Sequence, residues 1–384
     1  MNFELTSEQV AFQDAARDFS LQELAPHAAE WDRTSHFPVD VLKKAGALGF
    51  LSIYAPESSG GMGLSRLDAS LIFEELSAGC TTTAAFMTIH NMAVWMVASF
   101  GSSELRDQWC PSMVTGEKLA SYCLTEPGSG SDAASLKTTA VRDGDAYVVN
   151  GSKCFISGAG STDVLITMVR TGEPGAKGIS TLLIPADAEG VSYGRKEEKM
   201  GWNAQPTRTI TFDDVRIPVG NRLGEEGEGF RFAMKGLDGG RINIATCSLG
   251  TARAALDQAR TYLKTRKQFG KELGEFQALQ FKLADMATGL VAARQMVHLA
   301  AAKLDAADPQ FSTYCAMAKR FATDTCFDIC NDALQLHGGY GYIREYPLER
   351  FVRDSRVHQI LEGTNEIMRV IIARRLLSDD NFQV

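Results

Sequence analysis

The apolar residues of this chain change their spacing twice, and that double switch restricts the fold more than any other feature. Up to about residue 120 they recur at the three-to-four-residue interval of amphipathic helices. Thr6 or Ser7 can cap a first helix, whose stripe of Val10, Phe12, Ala15, Ala16, Phe19 and Leu24 ends near Pro26. Further helices are predicted over 39–48, 67–76 and 81–100. The Gly60-Gly61-Met62-Gly63 loop between them lacks both the preceding strand and the following Lys-Ser/Thr of a phosphate loop. From about residue 121 the period drops to two. Strand-like runs stand at 122–125, 146–149, 153–157, 164–169, 180–184 and 207–212, with Asp143-Gly144 and Asn150-Gly151 as turn chemistry. Short strands with no helix between them predict a small antiparallel β-domain that closes near Pro218. From Gly227 the helical period returns. One helix is marked by Ile242 to Leu263, a second by Phe276 to Val297, a third by Cys315 to Leu336 before Gly338-Gly339, and a fourth follows Gly363. Four long amphipathic helices read as a bundle. The expectation is an α+β protein with a helical domain over 1–120, a β-domain over 121–226 and a four-helix bundle over 227–384.

The totals exclude several classes. A net charge of -8 and the absence of any Lys/Arg run argue against a nucleic-acid surface. No apolar stretch near 18 residues is evident, so no membrane span is expected. Met1-Asn2-Phe3-Glu4-Leu5-Thr6-Ser7-Glu8 resembles neither a signal peptide nor an Arg-rich transit sequence. The chain is expected in a bacterial cytoplasm, or in the mitochondrial matrix if a transit peptide has been removed. Eight scattered cysteines form no CxxC pair. Buried free thiols in a reducing compartment are expected, with no metal site.

Near the end, His358-Gln359-Ile360-Leu361-Glu362-Gly363-Thr364-Asn365-Glu366 sets a lone carboxylate in an apolar surrounding. Poor solvation raises a carboxyl pKa and makes it a better base near neutral pH. Gly363 lets a flat ligand approach the backbone, and Thr364 or Asn365 can cap the helix that follows. The competing reading is an acid in a helix's first turn, favoured by the helix dipole. Ser129, Ser131 and Ser152 have no neighbouring His-Asp arrangement, which removes a serine hydrolase.

Four segments, in this order, carry a resemblance to a known family. They are Tyr122-Cys123-Leu124-Thr125-Glu126-Pro127-Gly128-Ser129-Gly130-Ser131-Asp132, Arg266-Lys267-Gln268-Phe269-Gly270, Gln335-Leu336-His337-Gly338-Gly339-Tyr340-Gly341-Tyr342 and Leu361-Glu362-Gly363-Thr364. Over essentially its whole length the chain resembles the acyl-CoA dehydrogenases. The resemblance implies FAD held between the β-domain and the bundle, and removal of one hydrogen from each of the α and β carbons of an acyl thioester. It makes Glu362 the base for the α-proton, with its own backbone N–H and a flavin ribityl hydroxyl stabilising the enolate. In other branches the base stands immediately before the residue matching Arg241; here that position is Gly240.

By the same resemblance Leu124, Thr125, Ser131, Phe155 and Ser157 line the flavin ring, with Phe155 where most of the family has Trp. Arg266, Phe269 and Gln277 reach the FAD of a neighbouring subunit, and Gln335, Leu336, Gly338 and Gly339 approach the same cofactor by their backbone. Thr364 and Glu366 close the site from the last helix, while Ser131, Asp238, Arg241 and Gly363 face the acyl-CoA. Cofactor sites shared in this way imply an oligomer, in this family a homotetramer. Electron-transferring flavoprotein is the implied electron acceptor. Gly201-Trp202-Asn203-Ala204-Gln205-Pro206-Thr207-Arg208 and the run from Val352 to Gly363 point to the branch acting on isobutyryl-CoA, in valine breakdown. 2-Methylbutyryl-CoA and butyryl-CoA remain alternative substrates, and a binding protein on the same fold is the distant one.

Blander roles are also open. Arg241, Arg266 and Arg353 can be ion-pair partners, and His337 can cap the third bundle helix. His90 and His298 read as satisfied core histidines, Met92 and Met96 as core packing or an acyl tunnel, and Asp354 with Arg356 as an ion pair shaping the Glu362 loop.

Overall fold

The computed structural model describes residues 4–379 and Phe382; Met1–Phe3, from the opening stretch read above, and four of the last five residues lie outside that description. The N-terminal helices are α1 (Ser7–Phe19), α2 (Ala28–Thr34), α3 (Val39–Ala47), α4 (Arg66–Gly79), α5 (Thr81–Phe100) and α6 (Ser103–Val114). Thr6 caps α1 by accepting from the Gln9 N–H while the Gln9 side chain accepts from the Thr6 N–H. Two of these helices are absent from the expectation. α2 is only seven residues long, too short to show a period, and α6 carries Pro111 inside it, which reads in sequence as a stop.

The expectation that no apolar stretch approaches membrane length needs correction at α5. Its 20 residues are long and apolar enough to cross a membrane, but 78% of that window is buried inside the fold. Ala84, Phe86, Met87, Ala93 and Val97 of this helix have no exposed surface. It is hydrophobic all round because it is surrounded by protein on every side.

The middle segment holds β1 (Ala120–Cys123), β2 (Thr139–Asp143), β3 (Ala146–Ser157), β4 (Val164–Arg170), β5 (Ile179–Pro185), β6 (Val191–Tyr193), β7 (Thr207–Pro218) and β8 (Arg222–Leu223). Among the described residues they form one sheet in the order β6-β7-β3-β2-β4-β5-β8, with β1 on β4. Most neighbours are antiparallel, as expected, but β1 and β2 both run parallel to β4. Asp143-Gly144 turns β2 into β3. Asn150-Gly151 does not turn. It lies inside the twelve-residue β3 at a register shift, where Asn150 Nδ2 donates to Asp214 Oδ1 at 2.9 Å and Asn150 Oδ1 accepts from the Asp214 N–H at 2.9 Å. The pair recruits Asn150 across to β7 and converts a hairpin signal into a bulge.

The last segment is α7 (Gly229–Thr265), a hairpin of β9 (Lys267–Gln268) and β10 (Lys271–Glu272), then α8 (Gln277–Asp305), α9 (Phe311–His337), α10 (Gly339–Tyr342), α11 (Leu348–Arg356) and α12 (Asn365–Ser378). The long helices α7, α8, α9 and α12 match the four predicted ones; α10 and α11 are short additions between the last two. At 37 residues α7 spans about 55 Å and packs on α4, α5, α8 and α9, so it is the axis of the molecule. All eight cysteines are free and buried, several of them, such as Cys315, Cys326 and Cys330, packed among the bundle's small residues.

Buried charge ties the layers together. Glu74 and Glu75 on α4 are 3% and 2% exposed, and take Arg294 of α8 and Arg253 of α7 at 2.8 Å and 2.6 Å. In the sheet, Lys153 has no exposed surface and its Nζ lies 2.8 Å from Glu126 Oε1. Glu126 also accepts the N–H groups of Lys137 and Thr138, at 2.6 Å and 2.9 Å. A buried pair satisfied this fully is costly to break from either side.

Candidate active site

Three groups of the predicted residues come together, in three places. The first is at the C-terminal end of β3. The Cys154 N–H donates to Thr125 O at 2.9 Å and Lys153 Nζ to Leu124 O at 3.1 Å, which holds Leu124 and Thr125 beside β3. A second register shift there, between Lys153 and Ile156, puts Phe155 in the left-handed region at φ 56° with 69% of its surface exposed. A bulky residue in that conformation is strained, and strain of this sort collects at binding sites. Ser157 follows, paired to Thr207 across the sheet. Ser131 stays exposed in the Glu126–Asp132 loop.

The second group surrounds Glu362. Thr364 Oγ1 accepts from the Ile367 N–H and caps α12, leaving Glu362 and Gly363 as the last residues of the connection, at φ 54° and 93°. The helix leading into that connection is braced by the loop before β7 and by α5. Asp354 is the residue that does it, and not as the predicted partner of Arg356. Its carboxylate accepts the Trp202 N–H at 2.6 Å and the Thr82 hydroxyl at 3.2 Å, whereas Arg356 binds Gln359 at 3.1 Å. Burial places the backbone of the 200–206 loop closer to Asp354 than any cation on its own helix, and pushes that carboxyl up to about 6. Arg353 pairs instead with Asp32 and Glu349, at 2.7 Å and 2.6 Å.

The Glu362 carboxyl lies against α7. A Cβ on Gly240 would sit 2.3 Å from Glu362 Oε2, so only glycine at 240 leaves room for the acid. Oε2 is buried and has no hydrogen-bond partner among the described residues. Nor does the Glu362 backbone N–H have an acceptor among them. Burial pushes this carboxyl up to about 7, with Lys319 and Arg241 pulling it down. Arg241 is itself engaged: Nη1 donates to Asp238 Oδ1 at 2.7 Å and Nε lies 3.5 Å from Glu362 O. The half-buried acid therefore keeps one buried oxygen unused, with an unused amide beside it, among the described residues.

The third group lies at the other end of α7. Arg266, Gln335, Leu336, Gly338 and Gly339 line one groove of about 680 Å³, together with His337, Tyr262 and Tyr340. His337 is stacked on Tyr262 at 4.3 Å and its Nδ1 contacts Ala333 O at 2.8 Å, in the last turn of α9. Twenty-five residues of α7 separate Arg241 from Arg266, about 37 Å, so one chain does not join the second and third groups. Beside the groove, Phe269 and Gly270 turn β9 into β10 with positive φ at both positions, and Phe269 is 93% exposed. Gln277 opens α8 in an exposed position, and Glu366 is exposed in the first turn of α12 beside Arg369.

Three functional candidates escaped sequence reading. Lys319 of α9 is fully buried and donates to Gly363 O. Arg66 is 8% exposed, stacks 3.4 Å over Tyr54, and leaves Nη1 without a hydrogen-bond partner among the described residues; a Cβ on Gly239 would strike it at 2.5 Å. Tyr54 in turn accepts from Asn243 of α7 at 3.0 Å. Only the Gly239-Gly240 pair in a long helix signalled this close approach. Of the core readings, His90 is satisfied at both nitrogens, by Met113 O and the Ala120 N–H, while His298 Nε2 has no partner among the described residues. Met92 and Met96 are buried in the core beneath Gly236.

Comparison with known proteins accords with this arrangement. Residues 6–117, 121–215 and 227–377 match the N-terminal, middle and C-terminal domains of acyl-CoA dehydrogenase. This chain belongs to the acyl-CoA dehydrogenase family. It is 57% identical over 375 residues to the mitochondrial isobutyryl-CoA dehydrogenase of Bos taurus, covering 98% of this chain and 90% of that one. With the mitochondrial isobutyryl-CoA dehydrogenase of Dictyostelium discoideum the identity is 55% over 378 residues, covering 98% and 91%. Among solved structures, butyryl-CoA dehydrogenase from Megasphaera elsdenii superposes with a TM-score of 0.95 at 38% identity, covering 98% of this chain and all of the other. Acyl-CoA dehydrogenases are flavin-dependent oxidoreductases, and the residues at the end of β3 fit a flavin: an exposed, strained aromatic face at Phe155 stands beside Leu124 and Thr125, whose carbonyls are tied to Lys153 and Cys154.

Proposed function

We propose that this acyl-CoA dehydrogenase oxidises isobutyryl-CoA to methacrylyl-CoA, with Glu362 as the base. The observation that carries the assignment is Oε2 of Glu362, buried, unpartnered among the described residues and packed into the space that Gly240 leaves open. An oxygen in that state costs free energy unless a ligand uses it. Oε2 takes the α-proton, and a carboxyl near pH 7 is well matched to that task. The Glu362 N–H is free to donate to the thioester oxygen as negative charge grows there. Arg241, neutralised by Asp238, holds the Glu362 carbonyl side of the loop. Bound FAD supplies the acceptor for the β-hydrogen, which leaves as hydride.

Leu124, Thr125, Phe155 and Ser157 would hold the ring, with Ser131, Thr364 and Glu366 at its margins. Arg266, Phe269, Gln277, Gln335, Leu336, Gly338 and Gly339 would hold the other half of a cofactor bound mainly by a second copy. The 37 Å separation along α7 supports that division and with it a homotetramer. Residues 1–120, 121–226 and 227–384 would then serve as packing, flavin-ring and base-bearing units. Identity to two isobutyryl-CoA dehydrogenases supports the substrate, a place in valine breakdown, and electron-transferring flavoprotein as the oxidant of the reduced enzyme.

Anaerobic bleaching of the holoenzyme by isobutyryl-, 2-methylbutyryl- and butyryl-CoA tests the reading. The highest kcat/KM is expected for isobutyryl-CoA. Preference for the straight chain refutes the substrate, and bleaching by none of the three refutes the activity.

A further inference from the structure

Lys319 sits in the middle of α9 with no exposed surface. Its Nζ donates to Gly363 O at 2.8 Å and to Asn365 Oδ1 at 2.8 Å, both neutral acceptors. No carboxylate lies within ion-pair distance of it among the described residues, in contrast to Lys153, which has Glu126. A buried ammonium without a counter-ion is expensive, and burial brings this one down to about 8. Helix stability does not require it: Ala316, Ala318 and Ala322 show what α9 uses where packing alone is at stake.

The surroundings indicate what the charge is for. Asn365 is gripped again by α9, donating to Thr323 Oγ1 at 2.9 Å and to Asp324 Oδ1 at 2.7 Å. Two turns of α9 thus clamp the residues that follow Glu362. Glu362 and Gly363 are both left-handed, and for Glu362 that conformation costs on the order of 1 kcal/mol or more unless the surroundings impose it. The Gly363 carbonyl is the first carbonyl after the base's own residue, and it is the one Lys319 holds. The other groups facing the pair do not replace this cation. Arg241 is paired to Asp238, His358 is neutral because burial brings it down to about 3, and Tyr54, Tyr122 and Cys247 are buried in their neutral forms. Asp324 and Glu366 face Lys319 from farther along α9 and from α12.

Resting on the reading of Glu362 as the base, we propose that Lys319 is a positioning residue of the reaction. It pins the Gly363 carbonyl so that Glu362 keeps its left-handed backbone and its carboxyl over Gly240, and it supplies the uncompensated positive charge that this carboxyl faces.

The test is a titration of the Glu362 carboxyl in the holoenzyme, read by infrared difference spectroscopy against Glu362→Gln. It is run in wild type, Lys319→Met and Lys319→Arg, alongside the pH profile of anaerobic bleaching. Loss of the charge raises the Glu362 midpoint by about one unit, a loss of rate of about fivefold at pH 7 that approaches tenfold at pH 6 and below. Lys319→Arg restores the midpoint. A rate reduced equally at every pH, with the midpoint unmoved, makes Lys319 merely structural and overturns the proposal. Should Lys319→Met fail to fold, coupling is read from the other side: by reciprocity Glu362→Gln lowers the Lys319 midpoint about as much, followed by NMR of its Cε. An unmoved lysine overturns the proposal equally. Both titrations are independent of turnover, so a failure of the isobutyryl-CoA reading is seen separately, in the wild-type bleaching.

Discussion

If burial raises the Glu362 carboxyl to about 7 in the free enzyme, the pH dependence of proton abstraction follows quantitatively. At pH 6 only about one base in ten is ionised, and at pH 5 about one in a hundred. The kcat/KM for anaerobic flavin reduction therefore falls about a hundredfold from pH 8 to pH 5. A carboxylate at its ordinary value of 4.5 would lose less than a factor of about two over the same range. Stopped-flow bleaching by isobutyryl-CoA and its α-deuterated form, across that range, measures the limb and shows that it belongs to C–H cleavage. Glu362→Gln is expected to retain bound yellow cofactor and to bleach almost not at all. The same elevation has a signature in stability. The folded state keeps a proton on Glu362 between pH 4.5 and about 7 where the unfolded chain has lost it, so this contribution is present at low pH and disappears as pH rises through 7. At pH 8 Glu362→Gln should accordingly unfold later than wild type, by ~1–3 kcal/mol, because it relieves a buried charge. An acid limb near 4.5, or a Gln variant no more stable than wild type, would mean that the carboxyl is solvated and the reasoning is wrong.

Gly240→Ala places a methyl where Oε2 lies, and a displacement of about 1 Å at the base is expected to cost about 10²-fold in rate with flavin still bound; unchanged single-turnover kinetics would contradict the packing described. Glu126→Gln strands the buried Lys153 ammonium and should destabilise the chain by ~3–5 kcal/mol in urea unfolding, far more than an exposed pair such as Arg216–Asp143. Phe269→Ala removes a side chain that is 93% exposed, so folding of the single chain should change by only about 0.5 kcal/mol. Sedimentation and flavin content should nonetheless show a weakened assembly and lost cofactor, and retention of both would remove Phe269 from the subunit interface.

Much of the architecture was legible because burial imposes a period on any chain that folds this way. The stripes of α7, α8 and α9, the cap at Thr6, the limits of α5 and the turn at Asp143-Gly144 all follow from local rules that need no partner. Local rules failed where a distant partner outbid them. Asn150-Gly151 has the composition of a hairpin, yet Asp214 captures the Asn side chain and a strand runs through. Asp354 has arginines on either side in sequence, yet the Trp202 amide reaches it first.

The site divides along the same line. That Glu362 stands alone among apolar residues before a glycine is a property of the sequence by itself, as is the glycine at 240 that rules out a second base. What only the tertiary structure decided is which atoms meet: Oε2 over Gly240, Lys319 under the Gly363 carbonyl, Arg66 on Gly239, and Arg266 too far from Glu362 for one chain to join them. A buried lysine or arginine leaves no period in a sequence, since one polar residue on an apolar face looks the same whether it is exposed or enclosed. Its meaning depends on what the other helices bring to it, and only packing in three dimensions determines that.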